Sequence, residues 1–313
     1  MKKNMQENFR LLFDRVMDTN NISDIRTIKE QLAYVQESVI CVGSGGSGVV
    51  SEFASKVFIE KNQCIAATMD PRDLLYDKSI SLFKELFICS YSGKNYGVEI
   101  ALKSKINQNL FTNNSDLTER VNIINYQSSL EKEKSFISLG ATLIPISILL
   151  NYYLEGKSFE QLMYTLLNNH DFSYSLNNNI NFEIMSGYDT SVAARYLEST
   201  LVEAGLGIAS IHNKYDYCHG RTTLAHHHKA HTLIYLKTKD TELDQLILNE
   251  VQNLYDNIIL LESNHQDLLI DNFNLLVQSM YLTKAIAEAQ NKDLSGVDYA
   301  PAVKKLYYFK GGM

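Results

Sequence analysis

Leu86-Phe87-Ile88-Cys89-Ser90-Tyr91-Ser92-Gly93 runs from four apolar residues into two hydroxyls and a glycine, and a helical pattern begins soon after it. A short apolar run bounded by turn residues fits a strand buried on both faces. A strand followed by a polar turn and a helix is the repeating unit of a parallel sheet. The turn also has chemistry. Hydroxyls donate, glycine lets the backbone come close, and the next helix offers free N–H groups and the positive end of its dipole, so the stretch makes a small anion cradle. Ser-x-Ser-Gly occurs in ordinary turns as well, and its weight depends on what surrounds it.

Upstream, residues 5–36 show helical periodicity, with Asn21 or Ser23 as candidate caps. A strand over 38–42, a glycine-rich turn over 43–48 and a helix over 49–61 follow. The pattern continues with a strand at 63–69, a helix at 71–83, the strand at 86–90 and a helix at 96–105. Strands at 107–112 and 121–125 and an apolar helix at 140–153 complete the first half. Short apolar strands alternating with helices imply a parallel sheet covered on both faces. Residues 168–181 are asparagine-rich without apolar period and read as a link between domains. The pattern then restarts, with a strand at 181–185, a helix at 191–204, strands at 232–237 and 257–261, and a closing helix at 266–289. The openings Ile40-Cys41-Val42-Gly43-Ser44 and Ile184-Met185-Ser186-Gly187-Tyr188 suggest a diverged duplication.

The chain has 313 residues, enough for two domains, with 45% hydrophobic and 21% charged residues, as in a soluble globular protein. Its 29 Lys+Arg against 36 Asp+Glu give a net −7, and no basic stretch is interleaved with aromatics, so no nucleic-acid partner is expected. Cys41, Cys64, Cys89 and Cys218 lack C-x-x-C spacing. Three of them sit in apolar runs and read as buried hydrophobes of a reducing compartment. Residues 1–10 are polar with no signal core, and the apolar stretch at 139–154 is interrupted by Pro145 and too short to span a bilayer. The expectation is a cytoplasmic protein without a membrane partner.

Gly43-Ser44-Gly45-Gly46-Ser47-Gly48 matches G-x-G-x-x-G after a strand and before a helix, and Asp70 ends the next strand. That admits a dinucleotide-binding domain and an NAD(P)-dependent dehydrogenase. It also admits a phosphate cradle, since Ser44 and Ser47 add hydroxyls that a pyrophosphate turn does not need, or a bare tight turn. Asp70 precedes Pro71-Arg72-Asp73, where an aspartate serves as a helix cap. In an open α/β sheet the carboxyl ends of the first and third strands converge on one crevice. Ser44/Ser47 and Ser90/Ser92 would then surround a monophosphate with four hydroxyls and two helix N-termini.

The pair Gly43-Ser44-Gly45-Gly46-Ser47 and Ser90-Tyr91-Ser92-Gly93-Lys94-Asn95 resembles the sugar isomerase (SIS) domain of phosphosugar isomerases and of the isomerase half of glucosamine-6-phosphate synthase. So does Glu198-Ser199-Thr200-Leu201-Val202-Glu203-Ala204, followed by His219-Gly220. The resemblance implies a tandem of two such α/β domains over nearly the whole chain, at 1–168 and 181–313. Each would be a three-layer αβα sandwich with a parallel sheet of flavodoxin-type topology. It further implies that Ser44, Gly45, Ser47, Ser90, Ser92 and Asn95 hold a sugar phosphate, with Asn95 standing where the family has threonine. Lys134-Ser135-Phe136 resembles a helix start near the sugar, with Glu133 in place of a threonine. Glu203 matches the carboxylate that shuttles a proton between C1 and C2, and His219 the histidine associated with ring opening. Thr200 stands where the synthase has a lysine, which argues against Schiff-base chemistry.

Such a shuttle needs a base whose pKa is raised by partial burial, and Leu201, Val202 and Ala204 around Glu203 could provide it. Ring opening needs a donor and acceptor working near neutrality, which suits histidine. Arg221, beside His219-Gly220, is a further candidate for the phosphate, because a guanidinium pairs two oxygens. His227 and His231 have the i, i+4 spacing of zinc ligands, but the run precedes a strand and no H-E-x-x-H glutamate intervenes, so no metal is assigned. The expected function is phosphosugar binding with aldose–ketose isomerisation or deamination, in a homodimer and without a cofactor. A non-catalytic phosphosugar sensor and the dehydrogenase are the alternatives.

Overall fold

A computed structural model of the chain describes residues 2–116, 121–127, 137–154, 159–168, 176, 180–227, 231–296, 302–303 and 305. Its contacts divide into two units, residues 3–160 with 295–313 and residues 1–2 with 161–294. The asparagine-rich stretch read as a link lies mostly outside the described residues.

Helices α1 (Lys2–Arg10), α2 (Leu12–Ile22) and α3 (Ile25–Ala33) open the chain. The cap of α3 is Asp24, whose carboxylate accepts from Thr27 N–H at 3.1 Å. Neither Asn21 nor Ser23 takes that role. Ser23 is tied instead to Gln127, accepting from its N–H and donating to its carbonyl at 3.1 Å each. The first sheet comprises β1 (Ser38–Val42), β2 (Ile65–Met69), β3 (Glu85–Cys89), β4 (Asn107–Thr112) and β5 (Asn122–Asn125). All pairs are parallel and the order is β2-β1-β3-β4-β5, a doubly wound arrangement whose direction reverses between β1 and β3.

Buried strands with side chains alternating between two covered faces explain the apolar runs. Ile40, Val42, Leu86 and Ile88 pack with Val98 and Ala101 of α5 (Tyr96–Ala101). On the opposite face, Phe58 of α4 (Gly46–Asn62) sits edge-on to Phe87 with centroids 4.9 Å apart, and Phe111 lies 5.6 Å from Phe87. Helix α6 (Gly140–Tyr153) is apolar all round because it is buried between α4 on one side and α2 and α3 on the other, and it runs through Pro145 without ending. The helix expected over 71–83 is replaced by two short 3₁₀ turns, Asp73–Leu75 and Lys78–Leu82. Asp77 accepts from Ser79 N–H at 2.7 Å, a local bond that competes with helix propagation.

After α7 (Phe159–Asn168), the second sheet is formed by β6 (Asn181–Ser186), β7 (Ile208–Asn213), β8 (Thr232–Lys237) and β9 (Asn257–Glu262). It is parallel throughout, in the order β7-β6-β8-β9. One face is covered by α8 (Ser191–Glu203), which packs on α12 (Leu268–Ala289). Between β7 and β8 run α9 (Lys214–Asp216), a π turn (Tyr217–Arg221) and α10 (Thr222–His227). Tyr217 and Ala225 from that segment join Ile247 and Val251 of α11 (Glu242–Val251) on the other face, against Met185, Leu233 and Tyr235. Each unit is thus a three-layer α/β sandwich, as expected from the sequence, and the two sheets share one winding order with an extra strand on the first. Among the described residues no helix is long and apolar enough to cross a membrane.

Candidate functional site

In the first unit, two polar turns leave the sheet at its point of reversal. The register pairs Val42 with Ile88, so the turns that carry Ser44 and Ser90, each two residues further on, both leave at the carboxyl ends of the adjacent strands β1 and β3. Gly45 has φ 56° and ψ −131°, a conformation open to glycine, and it swings the chain directly into α4. The first bonds of that helix run from Ser47 N–H to Ser44 O (3.1 Å) and from Gly48 N–H to Gly45 O (2.8 Å). The N–H groups of Gly45 and Gly46 precede them, as donors at a helix N-terminus. Ser44 is half-buried and its hydroxyl donates to Asp70 at 3.4 Å; Ser47 is also half-buried. Asp70 additionally accepts from Arg72 N–H at 2.9 Å, so its carboxylate holds the turn after β2.

The second turn is braced from within. Ser90 is buried, and its oxygen accepts from Gly93 N–H at 3.1 Å and from Asn95 Nδ2 at 3.4 Å, leaving the O–H to donate. Ser92 is exposed and accepts from Lys94 N–H at 3.4 Å. Asn95 caps α5 through Oδ1 to Val98 N–H at 2.9 Å, so an asparagine here does the capping a threonine could do and keeps an amide donor. Sequence reading missed the supports of this turn: Thr112 donates to Tyr91 O (3.2 Å) and Asn114 Nδ2 to Ser92 O (2.9 Å). The polar residues ending β4 are the signal that could have found them. Lys134 lies outside the described residues.

The second unit holds Glu203, His219 and Arg221. Glu203 is the last residue of α8 and is exposed, so the partial burial expected of it is not found; its carboxylate accepts from Ser199 Oγ at 2.8 Å. The half-buried carboxyl of that helix is Glu198, pushed above its ordinary pKa by burial and by the charge of Glu203, with Arg195 opposing. Thr200 faces inward, donating to Tyr196 O at 2.7 Å and lying 3.4 Å from Thr283 of α12. A lysine at that position would have to bury its charge.

His219 is exposed at a break inside the π turn, where Gly220 takes φ 110°. The left-handed glycine turns the chain so that His219 stands at a corner rather than on a helix face. Arg221 is exposed and its guanidinium reaches His212 Nδ1 at 3.4 Å. The i, i+4 pair does not share a helix: α10 ends at His227, and His231 bonds Glu183 at 2.7 Å. Among the described residues no group of three or more metal-ligating side chains is placed to hold an ion.

The turn after β6 differs from its counterpart after β1. Gly187 N–H donates to Thr190 Oγ1 at 2.9 Å, Ser186 Oγ lies 3.0 Å from the same hydroxyl, and Asp189 accepts from Thr238 at 2.5 Å. The Gly187 N–H and the Ser186 and Thr190 hydroxyls are engaged with one another, and a carboxylate occupies the turn.

No family model matches the chain, and no curated protein matches it in sequence. Among solved structures it is similar to the C-terminal domain of glucosamine-fructose-6-phosphate aminotransferase from Francisella tularensis, at 12% identity, TM-score 0.71, and coverage of 94% of this chain and 98% of that one. It is similar to tagatose-6-phosphate ketose/aldose isomerase from Escherichia coli, at 13% identity, TM-score 0.72 and 96% of both chains. Glucosamine-6-phosphate deaminase from Thermotoga maritima gives 15% identity and a TM-score of 0.66, over 91% of this chain and 96% of that one. At such identities the likeness shows the fold alone: the chain shares with these proteins parallel sheets flanked by helices.

Proposed function

We propose that the chain binds a sugar phosphate and interconverts its aldose and ketose forms. The observation that carries the reading is the pair of hydroxyl-bearing turns that leave adjacent strands at the reversal point of the first sheet. Ser44, Ser47 and Ser92, with the N–H groups of Gly45 and Gly46, suit three phosphate oxygens, and Ser90 and Asn95 set the second turn. Glu203 is the proton shuttle of this reading and His219 assists ring opening. Glu198 is a second candidate for the shuttle, because burial and the charge of Glu203 push its carboxyl above the ordinary value. The hydrogen moves as a proton between two carbons of one substrate, so the reaction calls for no cofactor. A dinucleotide fits less well, since Asp70 is already engaged by Arg72 N–H and Ser44.

A panel of hexose 6-phosphates and amino-hexose 6-phosphates, with inorganic phosphate and NAD(H) as controls, tests the reading by thermal shift and by turnover. Stabilisation by sugar phosphates and its loss, by about tenfold in affinity, on changing Ser44 and Ser47 to alanine are expected. Glu203→Gln should lower kcat by roughly 10²–10⁴-fold with binding retained. A shift with NAD(H) alone overturns the reading. The exposure of Glu203 favours one second reading, a phosphosugar sensor, which would bind the panel, turn over none of it and be indifferent to both Glu203→Gln and Glu198→Gln.

A further inference from the structure

The exposed corner that carries His219 is tied on both sides to one buried carboxylate. Glu183 lies within β6 and is 2% exposed. Its Oε2 accepts from Tyr255 Oη at 2.6 Å. Tyr255 Oη is in turn 2.6 Å from Tyr217 Oη, and Tyr217 is fully buried two residues before His219. Since the Tyr255 proton goes to Glu183, Tyr217 is the donor in the tyrosine pair. A second arm passes through His212 on β7, whose Nε2 is 3.6 Å from Glu183 Oε2 and whose Nδ1 is 3.4 Å from the guanidinium of Arg221, two residues after His219. A guanidinium only donates, so Nδ1 accepts and the imidazole proton sits on Nε2, facing the carboxylate. Nε2 is buried and has no hydrogen-bond partner, so at 3.6 Å the Glu183 carboxylate faces it as a charge rather than as a bonded acceptor. The remaining oxygen of Glu183 bonds His231 Nδ1 at 2.7 Å. Burial, the largest influence, lowers the pKa of His212, Glu183 raises it and Arg221 lowers it, which fits a neutral ring in this relay.

Packing accounts for the rings of Tyr217 and Tyr255, which belong to the core of that face, but not for the polar groups that meet there. Apolar residues would fill the same face at lower desolvation cost. Instead, one carboxylate, two imidazoles and two phenols converge under a π turn whose glycine has left the helical region. That turn is short, closed by Thr222 N–H donating to Tyr217 O, and open to solvent at Cys218, His219, Gly220 and Arg221. We propose that Glu183 is a positioning residue: through Tyr255–Tyr217 and through His212–Arg221 it fixes the His219-Gly220-Arg221 corner so that the imidazole and the guanidinium are presented as a pair. The role in turnover rests on the reading of His219 given above, whereas the anchoring does not.

Glu183→Gln keeps the volume and an acceptor oxygen but removes the charge. Amide hydrogen exchange should rise at least tenfold over 217–222 and stay unchanged in Ser191–Glu203 of the same unit. With fructose 6-phosphate as probe, kcat should fall at least tenfold while KM stays within twofold, and Glu183→Asp should recover part of the loss. Tyr217→Phe deletes only the terminal hydroxyl of one arm. It should raise exchange over the same residues to a smaller degree, and it serves if Glu183→Gln does not fold. Unchanged exchange over 217–222 in the folded variants overturns the proposal. So does a uniform increase across the unit, which marks general destabilisation. Raised local exchange in a protein that turns over no sugar phosphate supports the anchor and overturns only the reading of His219 as part of an enzyme.

Discussion

Gly45 is where one residue type decides the local geometry of the candidate site. At φ 56° and ψ −131° a side chain is strained by about 1–3 kcal/mol, and this turn aims the first N–H groups of α4. Gly45→Ala should lower the unfolding free energy by that amount in a urea titration and weaken phosphate binding at the same time; wild-type affinity in the alanine variant would exclude the turn from the site. His212 makes a different prediction. Its pKa is held below 6.5 by burial, against the pull of Glu183 and together with Arg221, while Tyr217 presents only a ring 5.8 Å away. The unfolded chain therefore binds the proton first as pH falls. The contribution of His212 to stability is fully present above pH 6.5 and is lost as pH drops from there towards its folded pKa. Thermal midpoints should decline through that window, and His212→Gln should flatten the decline.

At the scale of elements, strands with apolar runs were legible and those whose inward face is polar were not. β7 reads Ile208-Ala209-Ser210-Ile211-His212-Asn213, and its one buried side chain is His212. It is an edge strand whose isoleucines are exposed, so hydrophobic periodicity has nothing to register. The 71–83 stretch failed for the converse reason: the residue types permit a helix, but Asp73 and Asp77 form local turns instead. Helix α11 carried a signal that sequence reading left unused, the capping box of Thr241 and Asp244. Asp244 does more than cap. Buried beside Lys214 (2.7 Å) and Tyr235 Oη (2.7 Å), it keeps a carboxyl pKa below the ordinary value: burial opposes this, and the bonds from Lys214, Thr241 and Tyr235 outweigh it. Asp244→Ala would leave the largely buried Lys214 ammonium and a phenol unpaired, and should cost about 3–5 kcal/mol in chemical denaturation. Thr241→Ala, which removes the cap and one bond to Asp244 but leaves the Lys214 pair, should cost about 1–2 kcal/mol.

For the whole molecule, the two sheets share a winding order but differ at their first turns. The turn after β1 has hydroxyls and N–H groups to offer, and the one after β6 is closed on Asp189, Thr190 and Thr238. A phosphorylated sugar should therefore protect amides of residues 38–126 from exchange more than those of residues 181–262. At ten times Kd the stabilisation of its unit should be about 1.4 kcal/mol. Protection confined to 181–262 would move the anion site to the other sheet. Parallel α/β layering, the strands of the first sheet and the two serine turns could be read from the residues because burying both faces of a strand forces a continuous apolar run and a tight turn from a strand into a helix favours glycine and small hydroxyls. The exposure of Glu203, the burial of Glu198 and the convergence of Glu183, His212, His231, Tyr217 and Tyr255 could not. Burial and pKa depend on what distant segments place around a group, and these five residues, spread from 183 to 255, meet only when the sheet brings their strands into register.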